Sequence, residues 1–139
     1  MPRDLEFSTD PERLDRQFVH RMLSEHAYWA LGRTRETQDA AIDGSLNIGG
    51  YDRATGGQLA YARVVTDGVT FAWLCDVIVD PGARGDGIGV ALVDFTLAEL
   101  DRRGVRRVVL RTGDAHELYR RYGFGPIERP DDWMARTRA

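Results

Sequence analysis

Leu74-Cys75-Asp76-Val77-Ile78-Val79-Asp80-Pro81-Gly82-Ala83-Arg84-Gly85-Asp86-Gly87-Ile88-Gly89-Val90-Ala91-Leu92-Val93-Asp94-Phe95 changes its hydrophobic period part-way along. The run ending in Val77, Ile78 and Val79 predicts a buried strand, and Asp80-Pro81-Gly82 stops it. From Ile88 onward apolar residues recur at helical spacing, so the stretch reads as strand, glycine loop and helix. Gly85, Gly87 and Gly89 lack a Cβ and let the backbone approach a ligand closely. A helix start also leaves N–H groups unpaired at the positive end of the macrodipole, so the loop suits an anion, most simply a phosphate.

Two common phosphate-loop grammars fail here. A P-loop needs Lys and then Ser or Thr after its last Gly, but Val90 follows Gly89 and the chain contains no Lys. A dinucleotide fingerprint needs Gly-x-Gly-x-x-Gly, and counting from Gly85 the third position falls on Val90. What remains is Arg84-x-x-Gly87-x-Gly89.

A chain of 139 residues fits a single domain, residues 1–139, able to bury a core without disulfides or metal. The net charge of −3 comes without a basic block, which argues against nucleic acid or an anionic membrane as partner. The single Cys, Cys75, rules out an internal disulfide, and three scattered His assemble no metal constellation. No signal peptide or long apolar segment is evident, so the expected location is cytoplasmic.

Leu5 to Ser8 predicts a first strand, and Asp10-Pro11 the cap and first turn of a helix whose apolar face is Leu14, Phe18, Val19, Met22 and Leu23. After it, Ser24 to Ala30 interleaves aromatic and ionisable residues. Thr34 caps a second helix ending near Gly44. Leu46 to Tyr51, Gln58 to Thr66 and Val69 to Val79 predict an antiparallel meander. Gly87 to Arg103 is the third helix. Val105 to Arg111 is a strand parallel to the one before the glycine loop, because a helical crossover joins them. Ala115 to Tyr122 predicts a short helix, and Phe124 to Glu128 with Trp133 to Arg138 a terminal strand pair.

Arg84-x-x-Gly87-x-Gly89 resembles the pyrophosphate loop of the N-acetyltransferase superfamily known as GNAT. A second signature of that family is similar to Ala115, Tyr119, Gly123 and Phe124, which match in register. Tyr28-Trp29, Arg63 to Asp67 and Asp114-Ala115-His116 look like a bacterial subgroup of the family. The resemblance implies an α/β fold, an α+β mixed and mostly antiparallel sheet of roughly six to seven strands with about four helices. Its order would be β-α-α-β-β-β-α-β-α-β-β. Two departures stand out. Thr112 replaces an Asn common in the family, and Asp86 brings a carboxylate into the phosphate loop, where it is expected to point to water.

The resemblance also implies acetyl-CoA as cofactor and direct attack of a primary amine, a small molecule rather than a peptide. The alternative is a non-catalytic acyl-CoA sensor or partner-binding domain with the same fold. The resemblance places cofactor contacts at Val77, Ile78, Val79, Arg84, Gly85, Asp86, Gly87, Ile88, Gly89, Thr112, Ala115 and Tyr119. In this family a strand bulge presents a backbone donor to the thioester carbonyl, near Val77 or Ile78. Tyr119 is the general acid by family register. Asp76, a carboxylate in an apolar strand, is the candidate base, with its pKa raised by burial; Glu25, Asp67 and Asp114 are weaker alternatives. Cys75 is expected on the face opposite Asp76 as a small buried residue. Tyr28, Trp29 and Trp73 are candidate substrate contacts, with Arg33 and Arg63 nearby. No metal is expected, and an edge strand at either terminus leaves a homodimer open.

Overall fold

In the computed structural model, which describes residues 4–138, the hydrophobic period changes mark the element boundaries. Strand β1 (Leu5–Ser8) is followed by helices α1 (Arg16–His26) and α2 (Arg35–Asp43), then by β2 (Leu46–Asp52), β3 (Gln58–Thr66) and β4 (Phe71–Val79). Helix α3 (Ile88–Arg102), β5 (Arg107–Leu110) and α4 (His116–Arg120) complete the order. The sheet has five strands in sequence order, antiparallel except for the parallel pair β4–β5.

Alternation along the strands sorts residues between two cores. Ala60, Ala62, Val64, Ala72 and Leu74 pack with Ile88, Leu92, Val93 and Leu100 of α3. Tyr61 and Ile78 face the other way and pack with Phe18, Val19, Met22, Leu23 and Ile42 of α1 and α2. The sheet is thus sandwiched, but β3 and β4 extend past the cover that α1 and α2 provide: Val65 and Trp73, cross-strand partners, are both exposed.

Two expectations are corrected. Asp10-Pro11 starts only a single 3₁₀ turn, Pro11–Arg13; α1 begins later, where the Asp15 side chain accepts the Phe18 N–H. The terminal strand pair does not form among the described residues, so the sheet has five strands rather than six or seven. Residues 124–138 carry Pro126 and Pro130, which cannot donate to a ladder, and fold instead into an irregular run with one 3₁₀ turn, Pro130–Asp132. The bulge that the resemblance implies lies in β4. Arg63 pairs with Cys75 and Tyr61 with Ile78, so Ala62 alone faces both Asp76 and Val77. That two-against-one count is a β-bulge, and Asp76 sits in it at φ +50.

Candidate active site

The bulge resets the alternation of β4. Leu74 lies in the α3 core, and the next β4 residues packed on that core are Val77 and Val79, three and five positions on. Asp76 consequently faces α1 and α2, the same side as Arg63. Cys75, the cross-strand partner of Arg63, shares that side, not the opposite one. Burial pushes the Cys75 thiol up to about 11, which suits a packed residue and not a nucleophile.

Asp76 is 2% exposed and is gripped by three donors from two elements. Trp29 Nε1 donates to Oδ1 at 2.8 Å; Arg33 Nη1 and Arg63 Nε each donate to Oδ2 at 2.7 Å. Burial alone would raise the carboxyl pKa, but the hydrogen bonds from Arg33 and Arg63, then the charge of Arg63 and the Trp29 bond, outweigh it and hold Asp76 below the usual carboxylate range. The expected raised pKa, the reason for reading Asp76 as a base, is therefore overturned. Asp67 is also removed from consideration: it lies in the β3–β4 turn, where Thr70 Oγ1 and the Val69 and Thr70 amides bind its carboxylate and lower its pKa.

Pairing of β4 with β5 ends at Leu74 opposite Leu110, yet β4 runs on to Val79. The two strands part there, opening a cleft of about 870 Å³. One bank is β4 from Trp73 to Val79 with the glycine loop, and the other is Arg111 to Ala115 with Leu118, Tyr119 and Arg121. Of the expected cofactor residues, Val77, Ile78, Val79, Arg84, Gly85, Gly87, Ile88, Gly89, Thr112, Ala115 and Tyr119 all line it. Asp86 is exposed and does not.

The glycine loop ends as the residue pattern demands. Gly85 and Gly87 have φ of +96 and +76, and a Cβ added at either would meet no heavy atom within 4 Å, so both need glycine for conformation and leave room for a ligand. The first backbone bond of α3 runs from Ala91 N to Gly87 O, so the amides of Ile88, Gly89 and Val90 have no acceptor within the helix. These amides, with Arg84 on the same bank and Arg111 and Arg121 opposite, fit a diphosphate. Thr112 is already engaged locally: its Oγ1 accepts the Ala115 N–H at 3.0 Å.

Tyr119 is buried near the foot of α4, and its ring meets Phe124 edge-on at 5.8 Å. Burial, then the negative field of Asp114, pushes its phenol pKa above the ordinary value, so the proton is held at neutral pH. On the open side of the cleft, Tyr28 and Trp29 meet edge-on at 5.0 Å, and the Gly113 N–H donates to the Tyr28 hydroxyl at 2.9 Å. Trp73 lines the same cleft. Arg33 and Arg63 do not line it but stand behind Asp76. The sequence reading missed the Trp29–Asp76 and Tyr28–Gly113 bonds; the only signal was aromatic residues placed where the α1 pattern ends.

Residues 48–126, more than half of the chain, match the model of the acetyltransferase (GNAT) domain family. This chain is a GNAT protein. A solved structure from Xanthomonas campestris pv. campestris, assigned to the same family, is 43% identical, covers 99% of this chain and 95% of its own, and superposes with a TM-score of 0.91. A Mycobacterium tuberculosis protein solved in complex with CoA shares the fold at 22% identity and TM-score 0.71, over 88% of this chain and 73% of its own. Among curated proteins, the mycothiol acetyltransferase of Beutenbergia cavernae is 47% identical over 53 residues, 35% of this chain and 18% of its own length. The chain spans less than a third of the length of the curated relatives it matches. GNAT proteins take acetyl-CoA as cofactor. No helix among the described residues is long and apolar enough to cross a membrane.

Proposed function

We propose that this GNAT protein is an N-acetyltransferase acting on the primary amine of a small molecule. The observation that carries the reading is the convergence, in one cleft, of the β4 bulge, the open amides of α3 and a buried, protonated Tyr119. When bound, acetyl-CoA supplies an activated acetyl group open to direct attack by the neutral amine.

The residues of the chain divide the work. The amides of Ile88, Gly89 and Val90, with Arg84, hold the diphosphate and fix the thioester, turning a bimolecular encounter into positioned attack. The Val77 N–H, in the bulge, is the donor for charge that develops on the carbonyl oxygen. Tyr119 holds the proton that a departing thiolate would take up to become the free thiol. Asp76 keeps its charge and acts as a positioning residue: its three donors fix a backbone conformation that is unusual outside glycine. The proton of the incoming ammonium leaves to solvent through the open side of the cleft. Stabilisation by acetyl-CoA in a thermal melt, followed by thiol release with an amine panel, tests the reading. Stabilisation without thiol release from any amine would leave a cofactor-binding domain without transferase activity.

A further inference from the structure

Three aromatic rings on the open side of the cleft are not used by the cofactor site or by the proton steps. Trp29 is 44% exposed, Trp73 41% and Tyr28 58%, and all three line the cleft. Large rings are ordinarily covered, and a set of them left open around a cavity that also holds the reacting centre marks a binding wall. Two of the rings are fixed by their polar tips, Trp29 through Nε1 to Asp76 and Tyr28 through its hydroxyl to the Gly113 N–H. Their apolar surfaces are presented to the cleft without further loss of side-chain freedom on binding.

Position and charge narrow the occupant. Trp29 touches Asp76, the residue beside Val77, so its ring flanks the place where the amine attacks. Trp73 stands three residues before Asp76 on the same strand, roughly 10 Å away at the usual strand rise. An acceptor spanning both carries its amine at one end and a flat apolar body behind it. A second ammonium finds no partner on this wall, because the Asp76 carboxylate is already committed to Arg33, Arg63 and Trp29. Asp114, the other carboxylate lining the cleft, lies on the opposite bank, where its field reaches Tyr119. Polyamines and amino sugars therefore have little to bind here.

We infer that the acceptor is an arylalkylamine, a primary amine on a short chain attached to an aromatic ring system, seated against Trp29 and Trp73. The inference rests on the acetyl-transfer reading and adds no chemical step to it.

The test compares tryptamine and 2-phenylethylamine with butylamine, spermidine and glucosamine as acceptors, and measures tryptamine binding to CoA-saturated protein by calorimetry. Tryptamine is expected to exceed butylamine and spermidine in kcat/KM by about tenfold or more. Trp73→Ala is expected to raise KM for tryptamine about tenfold and KM for butylamine by a clearly smaller factor, and Trp73→Phe to restore the preference. Equal turnover of spermidine or glucosamine, or a Trp73→Ala loss shared by every acceptor, overturns the inference while acetyl transfer stands. Tryptamine that binds and is not acetylated, with no other amine acetylated, overturns the transfer reading and supports the site. Absence of both tryptamine binding and acetylation of any amine overturns both readings.

Discussion

Trp29 and Asp76 lie 47 residues apart in the chain, and the indole N–H of the first donates to the carboxylate of the second at 2.8 Å. The bond joins the loop between α1 and α2 to the bulge of β4, so the acceptor side of the cleft and the proposed oxyanion donor are held by one buried carboxylate. Arg33 and Arg63 complete the grip, and their side chains are themselves largely covered.

Asp76→Ala should therefore be among the most damaging single changes. It leaves two guanidinium groups without their shared anion, a loss of about 3–5 kcal/mol for a broken buried pair. Asp76→Asn is the sharper probe, since Asn tolerates positive φ and keeps the shape while removing the charge. It should lower kcat and Tm but leave the shape of the pH-rate profile unaltered. Disappearance of an acidic limb in the variant would instead return Asp76 to the role of base.

The direction of the Asp76 shift sets a pH window. Its carboxyl binds a proton less readily in the folded protein than in the unfolded chain, so its contribution is full above the ordinary carboxylate range and is lost as pH falls through and below about 4. Urea unfolding at several pH values should show the stability gap between wild type and Asp76→Asn constant from pH 7 to about 5 and narrowing below about 4. Glu6 and Asp39 are shifted in the same direction, so the comparison must be with the variant and not with wild type alone.

How much of this was readable in the residues differs by element. The β4-loop-α3 unit was legible because two periods meet at Asp80-Pro81-Gly82, and α2 because Thr34 and Gly44 cap it. The bulge was not, since Asp76 alone breaks an apolar run, and a single polar residue fits either an inserted position or a buried partner. Its partners come from sequence separations of 47, 43 and 13 residues, which no local pattern encodes. The C-terminal segment misled for a different reason: Trp133 and Met134 suggest burial, yet both remain exposed, and Arg107 instead meets the Trp133 ring at 5.4 Å.

Tyr119 carries a separate expectation. Burial raises its pKa above the ordinary phenol value of about 10, so a general acid at this position stays protonated throughout the neutral and mildly alkaline range. The kcat profile should show no fall attributable to Tyr119 below about pH 10. Tyr119→Phe should reduce kcat by about 10²-fold or more with a much smaller change in the acetyl-CoA Kd. An unchanged kcat would remove the assignment.

The glycine loop predicts a contrast between near neighbours. Gly87→Ala forces a side chain into a left-handed conformation at the start of α3, at about 1–2 kcal/mol. At Gly89, inside the helix, an added Cβ would sit 3.8 Å from Val79 Cγ2, an ordinary contact, so Gly89→Ala should raise stability by up to about 1 kcal/mol. Melting each variant with and without acetyl-CoA checks both points: Gly87→Ala should lose most of the cofactor-induced shift and Gly89→Ala should keep it.

Tyr28 and Gly113 supply the last test, because each reports on the other. Tyr28→Phe removes the acceptor of the Gly113 N–H, an exposed bond worth at most about 1 kcal/mol. Gly113→Ala would bring a Cβ to 2.8 Å from the Tyr28 hydroxyl oxygen and 3.4 Å from the ring carbon that carries it, so the tyrosine must swing away and the same bond is lost from the other side. Both variants should raise the acceptor KM and speed exchange of the residue 113 amide. The double variant should be little worse than either single one, since one interaction cannot be broken twice. Additive effects would mean that the two residues act on the cleft independently and that the tie across its mouth has no functional weight.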